Sequence, residues 1–158
     1  MKNTGKPTEK LFEDSITALG KDGYFYRIKD AAAIRGLTGS IGRAVDATPS
    51  DYVVCMLGET FFCEVKSTQH ETLFEFSLLK KGQNAHSSRI IAAKGGYRVV
   101  IHRLSTDQWY IIPMSVILHH TVITQRKSFT WEELESYRWH SLVATPKGSR
   151  PKWSPNVP

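Results

Sequence analysis

Apolar positions recur at helical spacing in three parts of the chain. Apolar residues three or four positions apart predict a first helix over Thr8–Leu19, with Thr8 as its cap. The same spacing predicts a second helix over Leu78–Lys94, which a pair of glycines would end. A capping-box pattern over Thr130–Glu133 predicts that a last helix begins there and runs toward Trp139.

Runs of β-branched and aromatic residues predict strands between these helices. The runs Asp51–Leu57 and Thr60–Lys66 are separated only by Gly58 and Glu59, which predicts a β-hairpin. Gln69–Phe76 is ambiguous. The other predicted elements are the strands Tyr24–Ile28, Tyr97–Arg103 and Trp109–Pro113, and a short helix over Met114–His120. This order of elements favours an α/β fold, with a mixed β-sheet flanked by helices.

The length of 158 residues suits one domain, which we expect over residues 1–140. Residues 29–49 contain several glycines, and we predict a loop or arm there, with a helical turn at residues 31–35. Residues 141–158 are rich in proline and serine and basic without an acid, which predicts a mobile basic tail.

Charge and composition narrow the class of partner. A net charge of +6 and a pI of about 9.4 favour a polyanionic partner, of which nucleic acid is the commonest. The sequence has no apolar run of about 18 residues and no secretory signal at its start, so we expect a cytoplasmic protein that makes no membrane contact. Cys55 and Cys63 are too few for a disulfide framework, and we predict buried, reduced thiols.

Two short segments carry the candidate chemistry, Pro49-Ser-Asp51 and Glu64-Val-Lys66. Alternate residues of a strand share a face, so Glu64 and Lys66 would lie side by side with Val65 turned into the core. The hairpin can bring Asp51 opposite Glu64, and two carboxylates suit Mg²⁺, for which Mn²⁺ could substitute. The backbone carbonyl of Val65 could be a further ligand. A Glu-x-Lys pattern is also common as a solvated ion pair, so a structural role stays open.

Lys66 could serve this site in three ways. It could orient the attacking water, assist deprotonation of that water, or hold the phosphate. A bound Mg²⁺ would make a hydroxide nucleophile more available and neutralise charge in the transition state. The pattern is therefore compatible with metal-assisted attack of water on a phosphate group.

Several motifs together resemble the Holliday junction resolvases of the PD-(D/E)xK superfamily, both the archaeal resolvases and the RecU family. Gly5-Lys-Pro-Thr-Glu9 resembles the family's Gly-x-x-x-Glu start, and Asp51 and Glu64 sit at the family's spacing. Glu64-Val-Lys66-Ser-Thr68 resembles the strand ending Glu-x-Lys-x-Thr, and Gln83-Asn-Ala-His86 resembles the Gln-x-x-His that opens the second helix. Two features depart from the family: serine precedes Asp51, and the segment at residues 29–49 is shorter than the RecU stalk.

The resemblance implies a restriction-endonuclease-like core and a Mg²⁺-dependent endodeoxyribonuclease. Such an enzyme would resolve four-way DNA junctions by paired nicks, as a homodimer and without an organic cofactor. Asp51 and Glu64 would be metal ligands and Lys66 the catalytic lysine. Glu9 would be a further acid that reaches the metal, although Glu13, four residues on, competes for that role.

The resemblance also implies a role for the second helix, where Gln83 would contact the substrate or the metal-bound water. Basic and polar residues of the arm and the second helix flank the proposed site and would contact DNA phosphates. The predicted DNA-binding residues are Arg27, Lys29, Arg35, Arg43, Lys80, Lys81 and His86. His86 has an equally simple interpretation as a polar-face residue.

Other functions share parts of this pattern. A nuclease of the same fold that acts on duplex, flaps or ends would use the same catalytic residues. A DNA-binding module without catalysis would keep the fold and the charge, and an unrelated globular protein could carry Glu-x-Lys by chance. The homodimer surface is also open, with Leu73–Leu79 and the helix Glu9–Leu19 as candidates.

Overall fold

A single mixed sheet organises the chain in the computed structural model, which describes residues 5–29 and 48–139. The strands of this sheet are β1 (Gly23–Arg27), β2 (Tyr52–Met56), β3 (Glu59–Thr68), β5 (Gly96–Arg103) and β6 (Gln108–Pro113). They lie in the order β1-β2-β3-β5-β6, and only the β3–β5 pair is parallel. The predicted helical turn at residues 31–35, Arg35, Arg43 and the tail at residues 141–158 lie outside the described residues.

Helices and a small second sheet complete the fold. The helices are α1 (Gly5–Ala18), α2 (Lys81–Ala92), α3 (Met114–Thr124) and α4 (Trp131–Leu134). The second sheet pairs β4 (Leu73–Glu75) with β7 (Ser128–Thr130), and single 3₁₀ turns occupy Gly20–Asp22, Phe76–Leu78 and Glu135–Tyr137. The predicted α/β architecture, a mixed sheet flanked by helices, is confirmed.

The predicted hairpin is present, and its turn sets the register of β2 against β3. Its turn is one residue earlier than predicted: Glu59 already pairs with Met56 in the sheet, and Leu57 and Gly58 form the two-residue loop, with φ values of 53° and 87°. Positive φ at both central residues gives a turn whose twist matches that of the flanking strands. The turn pairs Met56 with Glu59 and, at the other end of β2, Tyr52 with Cys63.

The core is divided between the two faces of the large sheet. On one face α1 packs through Phe12 and Ile16 against Tyr52, Cys63 and Val65. On the other face, β5 and β6 are covered by α2, α3 and the segment from β7 onward. The buried residues of this second cluster include Val99, Ile101, Tyr110, Ile112, Met114 and Trp131. The side chains of Glu64 and Lys66 alternate with Val65 and therefore point to the second face.

Some predicted boundaries were wrong for identifiable reasons. Thr8 is not a cap: α1 begins at Gly5, and Thr8 lies buried inside it, 3.2 Å from the Nδ1 atom of His102. The second helix begins at Lys81 because residues 76–78 form a 3₁₀ turn instead. The last helix ends at Leu134 rather than near Trp139, whose backbone N–H donates to the Trp109 carbonyl at 2.7 Å.

Other predictions have mixed outcomes. The capping box at Thr130 is confirmed, since its side chain accepts from the Glu133 N–H. The strands β4 and β7 were not predicted, because three-residue strands leave no clear alternation in the sequence. Both cysteines are free thiols, but Cys55 is only half-buried. No helix among residues 5–29 and 48–139 is long and apolar enough to cross a membrane.

Candidate active site

The end of the β2–β3 hairpin brings two acidic side chains together. Tyr52 pairs with Cys63, so the next residues outward, Asp51 and Glu64, face each other. The Val65 N–H donates to Asp51 Oδ2 at 3.0 Å, and the Asp51 carbonyl accepts from the Ile28 N–H at 2.9 Å. Both the backbone and the carboxylate of Asp51 are therefore held by neighbouring strands.

Glu64 is a fully buried acid with only half of its carboxylate satisfied. Its Oε1 atom accepts hydrogen bonds from Lys66 Nζ and from Gln83 Nε2. Its Oε2 atom is buried and has no hydrogen-bond partner among the described residues. An unpartnered buried carboxylate oxygen is costly in a folded protein, so such an atom calls for a functional explanation.

The surroundings of Glu64 favour its neutral form. Burial, followed by the negative charge of Asp51, raises the pKa of Glu64 to about 7, and the attraction of Lys66 only partly opposes this. Burial penalises the charged carboxylate, and a second carboxylate at close range adds repulsion. A bound cation would relieve both effects at once.

Gln83 connects the start of α2 to this acid. Its Oε1 atom accepts from the Lys80 N–H at 2.9 Å, while its amide nitrogen donates to Glu64. The side chain is buried, and both of its polar ends are used. Gln83 thus fixes the orientation of the Glu64 carboxylate. The sequence-based prediction gave Gln83 a contact with substrate or metal-bound water and did not include this contact with Glu64.

Two further residues hold the segment that leads into Asp51, and the sequence analysis gave neither of them a role at the site. The Tyr97 hydroxyl donates to the Pro49 carbonyl at 2.8 Å, and the Ser50 hydroxyl donates to the Tyr52 carbonyl at 2.7 Å. Burial, with Glu64 and Asp51 nearby, raises the pKa of Tyr97, which stays a neutral donor. No sequence signal marks Tyr97, since it looks like an ordinary apolar strand residue.

The donor set suits a hard divalent cation that keeps several waters. No group of three or more His, Cys, Asp or Glu side chains within the described ranges could enclose a metal ion. Two carboxylates at Asp51 and Glu64, one with an unpartnered oxygen, match the needs of Mg²⁺, which takes one or two carboxylates along with water and phosphate. The site therefore fits a metal that is completed by substrate.

Comparisons with known proteins place the chain in a family. The family model for Recombination protein U matches residues 37–146. The chain belongs to the Recombination protein U family. The match includes Asp51, Glu64, Lys66 and Gln83 and leaves out Glu9. A search of curated proteins finds no match.

A solved structure supports the fold independently. The chain is similar to Hjc, a Holliday junction resolvase of the archaeal hyperthermophile Archaeoglobus fulgidus, with a TM-score of 0.50 and 15% sequence identity. The similarity covers 80% of this chain and 86% of that one. The predicted restriction-endonuclease-like fold class is thus confirmed for this member of the Recombination protein U family.

Glu9 and Glu13 lie beside each other on α1, where both contact Arg27. Arg27 donates to Glu9 and, at 3.1 Å, to Glu13 Oε1, which also accepts from the Tyr52 hydroxyl at 2.8 Å. Tyr52 faces α1, so these contacts lie on the opposite face of the sheet from Glu64. The structure joins Glu9 to Arg27 instead of to Asp51 or Glu64, and the metal role of Glu9 stays a prediction.

The predicted DNA-binding residues differ in exposure and in whether they are already bound to other side chains. Lys80 and Lys81 are exposed at the start of α2, next to Gln83, and His86 is half-buried one turn further on. Lys29 is exposed just beyond β1. Arg27, by contrast, is held in its two ion pairs. Contacts of these residues with DNA stay predictions.

Proposed function

We propose that this chain is a Mg²⁺-dependent endodeoxyribonuclease that resolves four-way DNA junctions by paired nicks, acting in the cytoplasm as a homodimer. The observation that carries the chemistry is the buried pair of Asp51 and Glu64 beside Lys66, with one Glu64 oxygen unpartnered. Membership of the Recombination protein U family, and a similar fold in a Holliday junction resolvase, support the choice of substrate.

The residues that would hold the ion are Asp51 and Glu64, with the Val65 carbonyl as a third oxygen. The Val65 N–H points toward Asp51, and the N–H and C=O of one strand residue face the same edge. When bound, Mg²⁺ supplies charge neutralisation at the scissile phosphate and a more acidic water. Gln83 keeps the Glu64 carboxylate in one orientation during the reaction.

Lys66 would act on the nucleophile or on the phosphate. Its ammonium group donates to Glu64 Oε1, and its side chain is only 16% exposed. An ammonium at this position can orient the attacking water, assist its deprotonation or hold a phosphate oxygen. All three roles predict that loss of the amine removes cleavage and leaves the fold intact.

Two nicks per junction call for two active sites, which a two-fold symmetric dimer supplies. Within Leu73–Leu79, Phe74 and Leu79 are buried in the protomer's own core, while Leu73 and Phe76 line an open groove between α2 and α3. On α1, Leu11 is 49% exposed. Sedimentation at micromolar concentration, with Leu11→Glu and Phe76→Glu variants, would test which surface supports a dimer.

The decisive test is cleavage of a labelled synthetic four-way junction with Mg²⁺, alongside a linear duplex of the same sequence. Glu64→Gln keeps the size and the hydrogen bonds of the side chain and removes the charge that binds the ion. Glu59→Gln is the matched control, since Glu59 lies at the other end of the same strand and pairs with Arg98 at the surface. We expect paired nicks on the junction alone, lost in Glu64→Gln and kept in Glu59→Gln.

Other outcomes distinguish the rival functions. Equal cleavage of the linear duplex would indicate a nuclease of the same fold with a broader substrate. Tight junction binding without any cleavage would indicate a DNA-binding module and would refute the catalytic proposal. Cleavage that survives in Glu64→Gln would move the active site elsewhere.

A further inference from the structure

The candidate metal ligand Asp51 lies on a short segment before β2, residues 48–51, that belongs to no helix or strand. A carboxylate on such a segment binds a small cation well only if its backbone is held in place, because Mg²⁺ demands near-ideal geometry. The contacts of this segment therefore decide how well the site is preorganised.

Tyr97 ties this segment to the sheet through the Pro49 carbonyl, in addition to the bond from the Val65 N–H to Asp51. Tyr97 lies on β5, pairs with Phe62 and is 3% exposed. Its hydroxyl donates to the Pro49 carbonyl at 2.8 Å, across strand β3 and 48 residues of sequence. Its ring stacks on Phe62, with centroids 6.4 Å apart and planes at 16°. The hydroxyl is therefore aimed by a packed ring.

The contact lies beside the acids. Tyr97 and Phe62 share a row of the sheet, and the next row on the same face contains Glu64 and Val99. Ser50, between Pro49 and Asp51, is fully buried and bonds to the Tyr52 carbonyl at 2.7 Å. Tyr97 thus holds the carbonyl two residues before Asp51, and the local bond from Ser50 to Tyr52 spans Asp51 itself.

We infer that Tyr97 is a positioning residue for the metal site, which holds Asp51 in register with Glu64 through the Pro49 carbonyl. The inference rests on the proposed function, because it assumes that Asp51 binds the ion. It predicts a specific defect when the hydroxyl is removed: a weaker site for the ion, with DNA binding and the fold preserved.

The test is Tyr97→Phe, which removes the hydroxyl and keeps the ring that stacks on Phe62. Mn²⁺ binding to the full-length protein without DNA is measured from the loss of the free-ion paramagnetic resonance signal. Loss of a residue that orients a metal ligand weakens metal affinity by about 10-fold or more, so we expect at least that change. The metal concentration for half-maximal junction cleavage should rise by a similar factor, and saturating metal should restore most of the rate.

Tyr110→Phe is the matched control. Tyr110 is also fully buried in the same sheet, and its hydroxyl donates to Gln108 at 3.0 Å, in the outer strand β6. Its loss should leave Mn²⁺ affinity within about twofold of wild type, since no metal ligand depends on it. Junction affinity without metal should be unchanged in both variants.

The outcomes separate this inference from the proposed function. If wild type binds no Mn²⁺ and cuts no junction, the proposed function fails. If wild type does both and Tyr97→Phe has the same metal affinity, the inference alone is overturned, as it is if Tyr110→Phe shows an equal loss. If Tyr97→Phe does not fold, the hydroxyl serves the fold as a whole and not the metal site in particular, which also overturns the inference.

Discussion

Two buried polar residues lie on neighbouring strands, Glu64 on β3 and His102 on β5. They differ in how many of their polar atoms have hydrogen-bond partners. His102 faces α1, and both of its ring nitrogens have partners: Thr8 at 3.2 Å and Asp107 at 2.8 Å. Its ring also stacks on Trp109, with centroids 4.0 Å apart. Glu64 faces the other side of the sheet, and one of its oxygens has no partner among the described residues.

The difference separates a structural polar group from a functional one. A buried polar group that is fully bonded adds specificity to the fold, whereas one left partly unbonded costs stability. Proteins keep such a cost mainly where a ligand, ion or reaction uses the free atom. His102 therefore belongs to the packing of α1, whereas for Glu64 the free oxygen supports the proposed role in the chemistry of the site.

The largest effect is expected on the rate of junction cleavage when Lys66, the ion-pair partner of Glu64, is replaced. Lys66→Met removes the ammonium and keeps the aliphatic chain, so junction cleavage should fall by about 10²- to 10⁴-fold, as for loss of a group that transfers or orients a proton. Single-turnover cleavage rates measure it, with Lys21→Met, at the exposed 3₁₀ turn, as control. A loss below about threefold would show that Lys66 is only an ion-pair partner.

The next effect is the dependence of stability on pH in the metal-free protein. Between the ordinary pKa of 4.5 and the raised pKa of about 7, folded Glu64 keeps a proton that the unfolded chain has lost. The contribution of Glu64 to stability is therefore fully present below pH 4.5 and is lost as the pH rises through 7, by on the order of 3 kcal/mol.

Glu64→Gln isolates the contribution of Glu64 ionisation to stability, because glutamine resembles the protonated acid. In a chelator, urea unfolding should show similar stability for both proteins at pH 5 and a more stable variant at pH 8. Added Mg²⁺ should narrow the gap at pH 8 by stabilising only the wild type. An equal gap at both pH values would mean that Glu64 titrates normally.

A smaller effect, on stability alone, is expected when His102 is replaced. His102→Leu leaves Thr8 and Asp107 without this partner and should reduce the free energy of unfolding by about 1–3 kcal/mol. Cleavage per folded molecule should not change. Urea unfolding and single-turnover assays measure the two quantities, and His119→Leu, at an exposed position of α3, controls for loss of an imidazole. A selective loss of cleavage would place His102 in the active site.

The smallest change in stability is expected at the hairpin turn that leads into β3, the strand of Glu64. Gly58→Ala forces a side chain to adopt φ near 87° and should cost about 1 kcal/mol of stability. Strand β3 is also held by β5, so the register and the cleavage rate should survive. A large loss of cleavage in a folded variant would show that the turn itself sets the spacing between Asp51 and Glu64.

Much of the fold follows from local pattern. The alternation in Thr60–Lys66, the Gly58 turn and the periodicity around Ile16 predict the hairpin and α1, because each depends on neighbours in sequence. The face of Glu64 and Lys66 and the pairing of Asp51 with Glu64 follow from the same alternation. Short elements such as β4 escape prediction, since three residues carry no usable period.

By itself, the sequence determined which residues could carry the chemistry: two acids and a lysine on a hairpin, in a basic chain with the family's motifs. Only the tertiary structure decided how they are held. Three contacts join residues far apart in the chain: the bond from Gln83 to Glu64, the bond from Tyr97 to Pro49 and the ion pair of Glu9 with Arg27. The physical reason is that burial and charge depend on what the fold packs against a side chain, and a one-dimensional pattern does not contain those neighbours.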